Sequence, residues 1–294
     1  MTDVNLPLTP RPAVTGAAMM VLAGVCFALV NTLIQAATMK MGVAAPAAAF
    51  WQYLVAAVFF LPWIAHNLRL TVATGAVGAH ILRVALSAGG IMLWTLGLAH
   101  VPIWQAIALI LLSPFFVTLG AGLLLGEQVT PLRWAAVLAG FAGGAVILAP
   151  WSDAFTLAAL YPVGAAVLWA SVSLLTKRMT HTESAETLTL YLLIGLTPVN
   201  AVLAAGSGWA VSQHALPLIA LAGILTAAAQ YLIVRAYAAA DAAYLQPFDH
   251  LKLPLNIGLG WLVFGFLPQG SMWLGTAMIL AASMVLLRAE ARGA

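Results

Sequence analysis

The sequence predicts an all-α integral membrane protein of ten transmembrane helices, and three observations predict it. Only 6% of its 294 residues are charged and 64% are hydrophobic. A soluble domain carries roughly a quarter charged residues, so a surface this poor in charge has to face hydrocarbon. Ten apolar windows approach the ~20 residues that span a bilayer as a helix. The segments between them are short and hold Gly, Pro and charge, which leaves no room for a soluble domain.

The windows run 14–37, 46–65, 79–99, 103–125, 132–149, 157–176, 187–206, 215–238, 242–265 and 271–288. A polar, Pro-rich tail, MTDVNLPLTPRP, precedes the first, and the apolar run after it is too long for a signal-peptide core. The separators include MKMGVAAP, GEQVTP, PWSDAF, KRMTHTES and LPQG. Several connections are so short that neighbouring helices should form antiparallel hairpins. The one cysteine, Cys26, lies in the first window and reads as a small packed hydrophobe.

The net charge of +3 is scattered singly between apolar runs. It therefore speaks of orientation rather than nucleic-acid binding. With a cytoplasmic N-terminus, Arg11, Arg69, Arg83, Arg133, Lys177, Arg178, Arg235, Arg288 and Arg292 fall on the cytoplasmic side and only Lys40 outside. Both termini are then cytoplasmic. Ten helices divide into two sets of five, residues 1–150 and 151–294. Five is odd, so the second set enters from the opposite face, the arithmetic of an inverted repeat. Laying 123–148 over the last apolar windows pairs Gly126 with Gly265 and Trp134 with Trp273.

The segment LLSPFFVTLGAGLLLGEQVTPLRWAAVLAGFAGGAVIL resembles the fourth and fifth helices of the EamA-type drug/metabolite transporter superfamily. It carries a proline in helix four, an LLLGE-like end and a Gly-rich fifth helix. GAAVLWASVSLLTKR is similar to that family's sixth helix and QPFDHLKLPLNIGLGWLVFGF to its ninth. The resemblance covers nearly the whole chain. It implies two inverted five-helix repeats around a central cavity and export of small metabolites, with bacterial aromatic amino-acid exporters the most similar members. The sequence departs from the family at Gln52, where an arginine is common. It departs again at Phe266, where the second-half counterpart of Glu127 would stand, and at His250. Loss of the helix-two arginine disfavours a strictly anionic substrate.

Charge inside the bilayer is costly, roughly 2.5–3.5 kcal/mol for a central Lys or Asp on insertion scales. Asp249 and Lys252 lie well inside the ninth window, three apart and so on one face. They read either as a self-neutralising structural pair or as a polar handle for substrate or proton. His250 lies between them. The amides Asn31, Gln52, Gln105, Gln230 and Gln246 interrupt apolar runs and need partners, either another helix or a zwitterionic substrate. Tyr53, His80, Trp94, Trp169, Tyr231 and Tyr244 lie on helices expected to wall a cavity, where they pack or stack on substrate. Pro114, Pro247 and Pro254 break backbone hydrogen bonding in the fourth and ninth windows. They are candidate hinges or static kinks.

The sequence has no Walker A segment, HExxH, GxSxG or CxxC, and no run like a potassium filter. Its first helix lacks the carboxylate on which small multidrug exporters rely. The expectation is a monomeric secondary transporter of a bacterial inner membrane. It needs no cofactor or metal, exports amino acids including aromatic ones by alternating access, and is not an enzyme. Export of another metabolite or drug is the alternative. An integral membrane enzyme acting on lipid-linked substrates is a remote one, because Glu127, Asp153, Glu183, Glu186 and Asp241 are dispersed.

Overall fold

The computed structural model describes residues 12–65, 74–101, 103–149, 151, 155–265 and 272–293. The N-terminal tail, Arg69 and Phe266 lie outside them. The described residues form helices joined by turns and short loops, with no strand among them. In chain order the helices are α1 (Pro12–Met39), α2 (Ala45–Ala65), α3 (Val77–His100), α4 (Ile103–Ile110), α5 (Ser113–Leu124) and α6 (Pro131–Leu148). A 3-10 turn at Leu157–Ala159 leads into α7 (Leu160–Met179). Then follow α8 (Ala185–Ala205), α9 (Leu216–Ala239), α10 (Ala242–Asp249), α11 (Lys252–Phe264) and α12 (Met272–Gly293). Seven of them, α1, α2, α3, α6, α7, α8 and α9, are long and apolar enough to cross a membrane. The chain is a multi-pass membrane protein.

Local chemistry sets the ends. Thr130 caps α6 by accepting from the Arg133 N–H, with Pro131 in the first turn, and Ser184 caps α8 by accepting from the Thr187 N–H. Left-handed glycines follow α5 and α11, Gly126 at φ 69° and Gly265 at φ 70°.

The fourth and ninth windows, expected as single helices, are each broken. Pro114 has no N–H, and its ring would clash with the carbonyl four residues back, at Ile110, the last residue of α4. Pro254 stands in the same relation to His250, the first residue after α10. Both breaks are tightened by an i→i−3 bond, Leu112 N–H to the Leu109 carbonyl at 3.1 Å and Leu251 N–H to the Phe248 carbonyl at 3.2 Å. Pro247 lies within α10.

The boundaries recur along the chain. Val77 to Leu216, His100 to Ala239, Ile103 to Ala242, Ile110 to Asp249 and Ser113 to Lys252 are all steps of 139 residues. Ala45 to Ala185, Ala65 to Ala205 and Met39 to Met179 are steps of 140.

In the bundle α1 packs on α9, α3 on α7, α2 on α8 and α6 on α12, while α5 packs on both α7 and α10. The α6–α12 crossing relies on glycine. A Cβ at Gly143 would sit 2.8 Å from the Gly275 carbonyl oxygen, and one at Gly275 would sit 2.6 Å from that of Gly143. With no hydrophobic driving force between helices in lipid, such close backbone approach supplies the dispersion contact. Leu124, Val202 and Leu262 remain more than 70% exposed, as lipid-facing side chains do.

Candidate functional site

The breaks in the two interrupted helices face each other. α5 begins just after one and packs on α10, which ends at the other. The Phe115 ring from α5 lies 4.5 Å from the His250 imidazole, centroid to centroid. His250 is almost wholly buried. Its ring nitrogens meet the backbone of Leu111 and Gln246 only in poor geometry. A break of this kind is tolerated at membrane depth only where protein or enclosed water surrounds it.

Asp249 and Lys252 flank His250, one at the end of α10 and the other at the start of α11. The Lys252 ammonium donates to Asp249 Oδ2 at 2.6 Å, with both side chains less than a third exposed. The pair expected from the sequence therefore forms, across the break rather than along a continuous helix. α1 runs beside it. Gly24 faces Lys252, with room for a Cβ only at van der Waals contact, 3.5 Å.

Two turns further along α1, the Asn31 side-chain N–H donates to Asn256 Oδ1 of α11 at 3.0 Å. Asn256 in turn donates to the Lys252 carbonyl at 2.7 Å. Asn31, Asp249, His250, Lys252, Pro247 and Pro254 thus gather where α1 crosses the α10–α11 break, and Pro114 stands on α5 next to Phe115, which touches His250. Asn256 belongs with them, and sequence reasoning misses it. The signal that finds it is a second carboxamide in the ninth window, after Gln246.

The other candidates are dispersed. Trp94 (α3) and Trp169 (α7) have ring centroids 6.2 Å apart, and the Trp169 indole fills the space left by Gly90. Trp94 borders the large apolar cluster built around α4, α5 and α6. Gln105 donates to the Ile147 carbonyl at 3.5 Å, tying α4 to α6. Tyr244 packs beside Phe248.

Gln52, buried, donates to the Thr226 hydroxyl at 2.8 Å and joins α2 to α9. Tyr53 and Tyr231 border one apolar cluster on that side of the bundle. The Tyr231 hydroxyl donates to Glu186 at 3.0 Å and accepts from Arg235 at 2.9 Å. Gln230 is half-buried on α9. His80 stacks on Tyr191 at 4.3 Å near the start of α3. Arg83, placed from the sequence on the cytoplasmic side, is 2% exposed and donates to the Leu188 carbonyl at 3.1 Å.

At the turn joining α9 to α10, two charged side chains cap helix ends. Both Glu127 oxygens accept backbone N–H groups, of Ala242 and Ala243, each at 2.9 Å. Lys177 donates to the carbonyls of Tyr237 at 3.0 Å and Ala240 at 2.7 Å. The helix dipoles favour both charges there.

Among known proteins, residues 14–149 match the family model described as the EamA-like transporter family. A riboflavin transporter of Rhizobium johnstonii is 52% identical over 293 residues, covering 99% of this chain and 97% of that one. The chain belongs to the EamA-like transporter family. A riboflavin transporter of Vibrio cholerae is 47% identical over 90% of each chain. An S-adenosylmethionine uptake transporter of Rickettsia bellii is 26% identical over 82% of this chain and 83% of that one. The EamA assignment expected from the LLLGE segment and the ninth-window motif therefore holds. Amino-acid export is not what these relatives are named for.

Proposed function

We propose that this EamA-like transporter carries riboflavin inward across a bacterial inner membrane by alternating access. The observation that carries the reading is the 52% identity to a riboflavin transporter along essentially the entire chain. The uptake transporter of Rickettsia bellii supports the inward direction. The site's chemistry suits the substrate. Riboflavin is uncharged at neutral pH, with a flat tricyclic ring and a polyhydroxyl tail. Amides, one self-neutralised ion pair and the indoles of α3 and α7 offer hydrogen bonds and ring contact without demanding net charge. Amino-acid export, expected from the sequence, gives way to this reading because the relatives at 52% and 47% identity are named riboflavin transporters.

The architecture in this reading is two inverted halves, 1–150 and 151–294, with both termini cytoplasmic. Three observations support it: boundary steps of 139 or 140 residues, matching left-handed glycines, and matching breaks. The packing pattern supports it too. Exchanging each helix with its counterpart turns the α1–α9 pair into the α7–α3 pair and returns α2–α8 and α6–α12 to themselves.

The test is growth and uptake in a bacterial strain that cannot make riboflavin and lacks its own transporter. Expression of this chain should restore growth on micromolar external riboflavin and accumulate the labelled vitamin. Absence of both, with the protein present in the membrane, refutes the reading.

A further inference from the structure

We propose that Asn31 and Asn256, linked between α1 and α11, read the pyrimidinedione edge of the flavin ring; this rests on the riboflavin reading above. Asn31 lies well inside a 28-residue helix, yet it is exposed. A carboxamide turned to lipid loses its hydrogen bonds with nothing in exchange. Its bond to Asn256 of α11, which follows the helix break, satisfies one N–H and leaves the rest of the amide open.

The bond leaves recognition groups over. It uses one N–H of Asn31 and the oxygen of Asn256. Asn256 spends one N–H on the Lys252 carbonyl. The Asn31 oxygen, its second N–H and the second N–H of Asn256 have no partner among the described residues. Together they offer two donors and one acceptor, the number and kind of groups that the edge requires. The pyrimidinedione edge of a flavin presents the complement: the C2 carbonyl accepts, N3–H donates and the C4 carbonyl accepts. One helical turn, about 5.4 Å, separates Asn256 from Lys252. The Asp249–Lys252 pair therefore lies within reach of a ribityl hydroxyl once the ring edge is docked.

A plain inter-helix clamp is the competing account, and substrate chemistry separates the two. Sites built to hydrogen-bond a substrate N–H reject the analogue that lacks it, because the protein groups are left unpaired. The experiment compares riboflavin with N3-methylriboflavin, whose edge has lost its donor, in proteoliposomes of the wild type, Asn31→Ala and Asn256→Ala. Folded yield is followed by gel filtration.

The wild type should prefer riboflavin by roughly 10²-fold in kcat/KM. Each variant should keep its folded yield, raise KM for riboflavin about tenfold or more, and shrink the preference to within about threefold. If a variant's yield falls, Asn31→Ser, which keeps a hydroxyl donor and acceptor, carries the same comparison. Equal loss of both substrates in the variants overturns the assignment. So does a wild type that carries the N3-methyl compound as well as riboflavin. A wild type that carries neither removes the riboflavin reading itself, and this assignment with it.

Discussion

Replacing Glu127 by Ala should loosen the joint between the end of α5 and the start of α10. Its carboxylate takes two backbone N–H groups at 2.9 Å, those of Ala242 and Ala243. Asp241 occupies the usual capping position of α10 but makes no side-chain cap bond, so Glu127 caps the helix from elsewhere in the chain. Ala242 and Ala243 are buried, so water does not readily take the carboxylate's place. A hydrogen bond to a charged group contributes about 1.5–3 kcal/mol. The two share one carboxylate that is partly exposed, so the loss should total roughly 2–4 kcal/mol rather than the full sum. At about 2–4 °C per kcal/mol for a chain of this size, the thermal midpoint should fall by roughly 4–16 °C. Glu127→Gln retains a single acceptor oxygen and should lose about half as much. Thermal unfolding of purified protein in detergent, followed by tryptophan fluorescence, reads both. A midpoint within about 1 °C of wild type for Glu127→Ala would show that the capped turn does not hold the helices together.

Asp249→Asn leaves Lys252 charged and unpaired, and should lower folded yield more than Asp249→Asn with Lys252→Met, which removes both charges; yields measured by fluorescence-detected gel filtration decide it, and equal yields refute the pairing. Pro254→Ala restores an N–H able to bond the His250 carbonyl and lets α10 run into α11. Transport should slow several-fold while folded yield changes little, and equal loss of both would remove the hinge. Gly143→Val places a side chain against the Gly275 carbonyl and should cost about 2 kcal/mol or more of stability; an unchanged thermal midpoint would contradict the close α6–α12 crossing.

Much of the fold is legible in the sequence because bilayer thickness fixes helix length and hydropathy reports it. The window 187–206 corresponds to Ala185–Ala205 and 215–238 to Leu216–Ala239. The breaks are not legible to the residue, because hydrophobicity runs unbroken through Leu111 and Leu112 and resumes at once at Leu251. Pro114 and Pro254 signal them, but proline alone does not say whether a helix bends or stops. The burial of Arg83 is not legible, because a count of basic residues along the chain cannot see which face of a helix is buried. Asp249 and Lys252 can be paired from spacing alone. Asn31 finds its partner in Asn256, 225 positions away, a distance no local pattern bridges. Glu127 is recognisable as part of a motif, yet its capping of α10 depends on how the two helices meet. The substrate is the least legible part, since amides and indoles can hold an amino acid or a flavin by the same kinds of contact.

If this chain carries riboflavin through the site beside the two helix breaks, counterflow has to show it. Purified protein in liposomes preloaded with unlabelled riboflavin would be given labelled riboflavin outside, alongside a panel of labelled amino acids. Riboflavin should accumulate saturably, in dependence on the preload and without competition from excess amino acids. Accumulation of an amino acid with none of riboflavin would contradict carriage of the vitamin.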